Sequence, residues 1–352
     1  MKKILCYLLL LLIYACHPVQ NSENETKEDS LATTDENTKK EFPYVKGEIE
    51  RLDPALDKII PVDAKMEVIA EGYNWSEGPL WLKDQQMLIY SDVPENKIFS
   101  WTEKDGAKLY LEPSGFTTAP TREGELGSNG LFLSPEGKLM LCQHGDRRVA
   151  RMDAPLDKPK AEYTTVVDKY DGKKFSSPND GIYDSKGNLY FTDPPYGLVK
   201  QAEDPAREMD YCGVFLHTKD GKTILLAKEN SRPNGIALSL DEKTLYVANS
   251  DPKAAYWKAY PVKADGTVGE GKTFLDVTDK TKTEKGLPDG LKIDNQGNLF
   301  ATGPGGVLII SPDGKHLGTL KTGEATANCG FNEDKSVLYI TADAYIMRIK
   351  LR

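Results

Sequence analysis

The sequence predicts an all-β chain folded as a six-bladed propeller. Three observations predict it: a repeat of about fifty residues, turn chemistry between short apolar runs, and a polar oxygen-bearing residue at one fixed phase of each repeat. The 30 glycines cluster beside Asp, Asn and Pro, which is the punctuation of many short strands.

The first residues are an address and are set aside from the fold. Lys2 and Lys3 precede an apolar run, Ile4 to Ala15, that is too short to span a bilayer as a helix. It stops at Ile13-Tyr14-Ala15-Cys16, which resembles a bacterial lipobox with Tyr14 in a less usual place. Residues 1–15 are therefore expected to be a lipoprotein signal peptide, with cleavage before Cys16 and lipidation of that cysteine. Residues 16–45 are rich in Ser, Asn, Glu, Thr, Asp and Lys and too poor in large apolar side chains to offset their ordering entropy, so they are expected to form a tether. This reading makes the chain an exported bacterial lipoprotein held on a membrane only through its lipid, in the outer membrane, facing the periplasm or the surface.

Residues 46–352 carry the repeat. Ser128-Asn129-Gly130-Leu131 aligns with Pro178-Asn179-Asp180-Gly181 and with Pro288-Asp289-Gly290-Leu291, and in each unit ten residues separate the polar residue from the Leu that opens a second apolar run. Pro233-Asn234-Gly235 and Ser76-Glu77-Gly78 fit with one extra turn residue. Glu77, Asn129, Asn179, Asn234 and Asp289 are separated by 52, 50, 55 and 55 residues. A sixth, divergent unit runs from Asn328-Cys329-Gly330-Phe331 to Val337-Leu338-Tyr339-Ile340, with a register open by about one residue. Residues 65–71 are expected to add a strand to this last blade and so pin the two ends of the ring together.

Rotation about one axis brings the same phase of every blade to the central channel. That phase holds Glu77, Asn129, Asn179, Asn234 and Asp289, all with oxygen acceptors and none aliphatic. Taken singly, Asn-Gly and Asp-Gly are turn formers, but Glu77 is a poor turn former at the same phase. Converging carboxylate and amide oxygens suit one hard divalent cation on the axis, Ca²⁺ first, with Zn²⁺, Mg²⁺ or Mn²⁺ open. Net charge is −9 with no basic stripe, so nucleic-acid binding is not expected, and no protein partner is implied. Of five cysteines, Cys142, Cys212 and Cys329 fall in the folded part, too few for a disulfide framework and not spaced as a zinc site. Neither a Gly-x-Ser-x-Gly elbow nor a phosphate-cradling loop is present. Trp75, Trp81, Trp101 and Trp257 are expected to pack within blades.

Over residues 65–350 the chain resembles the SMP-30/gluconolactonase/luciferin-regenerating-enzyme-like family, especially its bacterial gluconolactonases. The resemblance rests on Ser177-Pro178-Asn179-Asp180-Gly181 with Tyr190-Phe191-Thr192-Asp193-Pro194-Pro195-Tyr196-Gly197, on Asn129-Gly130-Leu131 with Gln143-His144-Gly145, and on Glu77-Gly78-Pro79, Arg232-Pro233-Asn234-Gly235 and Leu287-Pro288-Asp289-Gly290. It implies that Glu77, Asn179, Asn234 and Asp289 hold the metal, leaving Asn129 for the substrate pocket or an outer-shell contact. Some relatives carry an Arg that meets substrate where this chain has Ser177. The implied reaction is metal-dependent hydrolysis of a small-molecule sugar lactone to the aldonic acid. Asp289 and His144 are the two candidates for the general base, and His144, Asn129 and Asp193 for substrate contact at the channel mouth. Two other readings share the ring: a phosphotriesterase-like or other ester hydrolase, and a non-catalytic cell-envelope propeller that binds glycans or a partner.

Overall fold

Leu139 to Gln143 shows how the blades are built. Leu139 and Leu141 point into one apolar cluster with Leu82, Ile89 and Leu131, while Met140 and Cys142 point into another with Phe175, Phe191 and Phe215. A strand buried on both faces lies between two neighbours, and its period-two alternation feeds both interfaces. The computed structural model describes residues 41–118 and 122–352. The signal peptide, Cys16 and the tether up to residue 40 lie outside the described residues.

Among the described residues, six antiparallel sheets form the blades, and a two-stranded hairpin, Lys169–Tyr170 with Lys173–Lys174, stands apart from them. Their innermost strands are Ser76–Leu82, Ser128–Leu133, Gly181–Tyr183, Pro233–Leu238, Leu291–Ile293 and Thr326–Phe331. Six apolar clusters fill the six interfaces between neighbouring blades, including the one between the last blade and the first, where Tyr339 and Ile346 meet Leu88, Tyr90 and Trp101. The ring is therefore closed, and among the described residues each blade packs an apolar face on both neighbours.

Closure uses the N-terminal segment twice. Glu67–Glu71 pairs antiparallel with Tyr345–Lys350 as the fourth strand of the last blade, as expected for residues 65–71. Tyr44–Val45 then pairs with Glu67–Glu71, and Glu48–Arg51 adds a fifth strand to the preceding blade against His316–Lys321. Ordered pairing thus begins at Tyr44, two residues inside the segment whose composition reads as tether. A 3₁₀ turn, Pro54–Lys58, is capped by Asp53, which accepts from the Ala55 amide at 2.8 Å, and it drops Leu56 into the core between the last two blades. Cys142, Cys212 and Cys329 are buried free thiols.

Candidate active site

The innermost strands are regular only below the ring phase. Pairing to the second strand is broken between Glu77 and Leu80, Ser128 and Leu131, Pro233 and Ile236, and Thr326 and Asn328. In the third and fifth blades the strand begins only at Gly181 and Leu291, after the ring residue. A bulge turns a side chain out of the sheet's alternation, and here every break coincides with the residue that faces the axis. The freed carbonyls are claimed by hydroxyls of the second strands: Ser91 Oγ donates to Asn129 O at 3.1 Å, Thr192 Oγ1 to Asn234 O at 2.7 Å, and Thr302 Oγ1 to Ala327 O at 2.8 Å.

The glycine after the ring residue is a packing requirement rather than a turn. A Cβ on Gly235 would overlap the carbonyl oxygen of Asp289, and one on Gly290 would overlap the side chain of Asn328. The third blade departs from this pattern: Asp180 follows Asn179, and its buried carboxylate lies 3.8 Å from the Lys292 ammonium. Lys292 belongs to a second cavity, of about 500 Å³, at the opposite mouth of the axis.

Glu77, Asn129, Asn179, Asn234 and Asp289 all line one cavity of about 470 Å³. Among the described residues, Asn129 Oδ1, Asn234 Oδ1 and Asp289 Oδ1 are buried acceptors with no donor. Orphaned acceptors of this kind are rare and costly. Three of them from three blades in one cavity, beside the Glu77 carboxylate, make a donor set of hard oxygens able to hold a cation. Burial raises the Glu77 carboxyl to about 7, against the opposing Gly78 amide and Asn328 donors, and Asp180 adds repulsion. Asp289 is pushed well above the usual carboxylate range by burial and then by the charges of Glu77, Asp180 and Glu125.

The sixth blade supplies Asn328, whose Nδ2 donates to Glu77 Oε2 at 3.0 Å while the Gly78 amide donates to the same oxygen at 2.7 Å. Asn328 fixes the carboxylate and does not line the cavity.

Two sequence expectations change. His144 does not line the cavity: it is fully buried, and its Nδ1 lies 3.0 Å from Glu125 Oε2, so Glu125 is the group that reaches the cavity. Asp193 is also fully buried and away from the cavity, because its two carboxylate oxygens accept from the Ser177 amide at 2.7 Å and the Ser176 amide at 2.9 Å. Ser177 Oγ in turn donates to Pro194 O and accepts from the Gly197 amide, tying down the loop that presents Tyr196 to the cavity. Asp193 therefore acts on the site only through this loop.

Sequence reasoning missed Glu125, Tyr196 and Arg232 as cavity groups, although the last two stand in stretches quoted above. Trp75 also lines the cavity, whereas Trp81 stacks on Tyr339 at 5.4 Å and Trp257 is buried between blades.

A closed six-bladed propeller with a polar, oxygen-lined cavity at one end of its axis is the class these features define. The SMP-30/Gluconolactonase/LRE-like region matches residues 75–344, and the chain belongs to that family. A gluconolactonase of Zymomonas mobilis is 40% identical over 314 residues, covering 87% of this chain and 86% of that protein. Regucalcin of Xenopus laevis is 25% identical over 287 residues, 78% of this chain and 85% of its own. The structure of a gluconolactonase from Xanthomonas campestris matches with a TM-score of 0.74 at 28% identity, covering 88% of this chain and 97% of that one.

Proposed function

We propose that this chain is a carboxylic-ester hydrolase of the lactonase type, opening a sugar lactone with the help of one divalent cation. The observation that carries the reading is the convergence of Asn129 Oδ1, Asn234 Oδ1 and Asp289 Oδ1, buried without donors, on the cavity that Glu77 and Asn179 also line. Family membership and the 40% identity to a gluconolactonase support the substrate class. Glu77, Asn179, Asn234 and Asp289 would hold the ion, with Asn129 beside them. Ca²⁺ suits a set made wholly of carboxylate and amide oxygens. Bound there, the ion supplies Lewis-acid polarisation of the lactone carbonyl.

The chain's own groups do the rest. Trp75 and Tyr196 give the cavity apolar faces against which a sugar ring can lie, and Arg232 brings a fixed positive charge. The Asn328 donor and the Gly78 amide hold Glu77 in one orientation. Export and lipid anchoring at Cys16 complete the reading, supported by the apolar run that ends there.

The test is proton release from glucono-1,5-lactone by the detergent-solubilised chain, after EDTA and with divalent ions returned singly. Turnover that vanishes with chelator and returns with an ion is the expected result. Absence of turnover across a lactone panel, with turnover of a phosphotriester instead, would replace lactone by phosphotriester as the substrate. For the anchor, Cys16→Ala should move the protein from the membrane to the soluble fraction, and an unchanged distribution would remove the lipid from the account.

A further inference from the structure

The fold builds a two-residue relay beside the ring. Beyond Ser128 the chain stays paired with the second strand of its blade: the His144 amide donates to Gly127 O and the Gly145 amide to Leu126 O, both at 3.1 Å. This pairing sets the residue before Leu126 against His144. The result is the 3.0 Å contact of His144 Nδ1 with Glu125 Oε2. A carboxylate only accepts, so Nδ1 carries the hydrogen. Gly197 packs closely on the His144 residue, since a Cβ there would overlap the Cβ of both His144 and Ser177. The imidazole is fully buried, whereas the Glu125 side chain is one-third exposed, at the cavity.

We infer that Glu125 is the residue that takes the proton from the attacking water, and that His144 is its positioning residue. The inference rests on the lactonase reading above. Asp289 and Glu77 belong to the ring, and a carboxylate whose lone pairs hold a cation is a weak base. Glu125 and Glu284 are carboxylates of the same cavity outside the ring, and of the two it is Glu125 that has an oxygen fixed by a buried partner, His144. No donor among the described residues reaches its Oε1. The charged and titratable groups about it are His144 behind it and, lining the same cavity, Glu77, Asp289, Glu284, Tyr196 and Arg232; its charge opposes the ionisation of Asp289 and Tyr196.

A water oxygen forms a bond to the lactone carbonyl carbon while its proton passes to Glu125, and the carbonyl π pair moves onto the carbonyl oxygen. On collapse the C=O re-forms, the bond from carbon to the ring oxygen breaks, and the proton on Glu125 goes to that oxygen as it becomes a hydroxyl. The product acid then ionises and releases the proton that the assay detects.

Glu125→Gln keeps the acceptor for His144 and removes the base. The full-length variant should lose about 100-fold or more in kcat with KM within about threefold. The rise in Tm on adding Ca²⁺ should match that of the parent chain. His144→Leu removes the donor that holds the carboxylate and should move the acidic limb of the kcat/KM profile to higher pH. His144→Asn, whose amide reaches the place of Nδ1, should restore much of both. Glu125→Gln with kcat near that of the parent, or with a raised KM alone, would overturn the inference and leave the lactonase reading standing, as would a His144→Leu profile that does not move. A parent chain with no lactone turnover would remove both.

Discussion

The Nδ2 of Asn328 donates to Oε2 of Glu77 at 3.0 Å, across the seam where the last blade meets the first. Glu77 is the ring carboxylate of the first blade, and Asn328 directly follows Ala327, the residue at that phase in the sixth. The residue that closes the ring thus orients a ring carboxylate from outside the cavity. Outer partners of this kind commonly change metal affinity by about 10- to 100-fold. Asn328→Ala should therefore weaken Ca²⁺ binding by roughly that factor while the propeller stays folded. Calorimetric titration of the purified variant measures it, and an unchanged affinity would reduce Asn328 to a packing role.

Asn179→Ala and Asp289→Ala each delete a ring oxygen in the cavity. Both should abolish turnover and the Ca²⁺-dependent rise in Tm, and leave the far-ultraviolet circular dichroism unchanged. Asp289→Ala should also melt at or above the metal-free parent, because it removes a charge that burial and the neighbouring carboxylates disfavour. Parent-like activity in either variant would remove that residue from the site.

Much of the site was legible in the sequence because a repeat converts spacing into geometry. The phase of Glu77, Asn129, Asn179, Asn234 and Asp289 places all five on one cavity, as a rotation axis requires. The sixth unit was not settled by spacing: the ten-residue step from Asn328 to Leu338 matches three other blades, but the structure sets Ala327 at the ring phase, eleven residues before Leu338 as in the first and fourth blades. The divergence of that unit blurred its register. Glu125 was not legible: it stands in an irregular connection between blades, and only the pairing of Leu126 and Gly127 with His144 and Gly145 brings it to the cavity. The same limit misplaced His144 and Asp193, because a position near a strand end does not say which way the side chain turns.

The glycine that follows the ring residue in the fourth blade gives a separate test of the close packing about the axis. Gly235→Ala puts a methyl group onto the carbonyl oxygen of Asp289, which is backbone and cannot swing aside. Overpacking of this kind costs about 1–3 kcal/mol. The displaced Asp289 should also bind Ca²⁺ more weakly, so the variant should show a lower metal-free Tm and a smaller Ca²⁺-induced rise. Parent-like values for both would show that the axis tolerates a wider ring.

Asp193 gives the site a dependence on pH that acts through structure. Burial pushes its carboxyl up to about 7 from the ordinary 3.8, against the two opposing amide donors of Ser176 and Ser177. Between those values the folded chain holds a proton that the unfolded chain releases. The associated stability is full below pH 3.8 and is lost as pH rises through about 7. Asp193→Asn cannot titrate, so its plot of unfolding free energy against pH should be flatter than the parent's between pH 4 and 7, as read by urea denaturation. Equal slopes would show that Asp193 does not hold its proton through that window.

The N-terminal segment ties two blades at once, and its removal should show how much of the ring's stability depends on that tie. Glu48–Arg51 and the turn Pro54–Lys58 lie against the fifth blade, and Leu56, Ile59 and Ile60 fill the interface between the fifth blade and the sixth. Arg51 fixes the path by donating to Ile60 O at 3.2 Å and Pro61 O at 2.7 Å. Three buried aliphatic side chains are worth about 1.5–3 kcal/mol each. At about 2 °C per kcal/mol for a large domain, a chain beginning at residue 63 should melt roughly 10 °C or more below one beginning at residue 41. Because the ring cavity lies at the axis and this interface lies outside it, the shorter chain should keep its Ca²⁺ affinity at low temperature. Loss of affinity in step with stability would mean instead that the seam between the last two blades sets the position of Asp289.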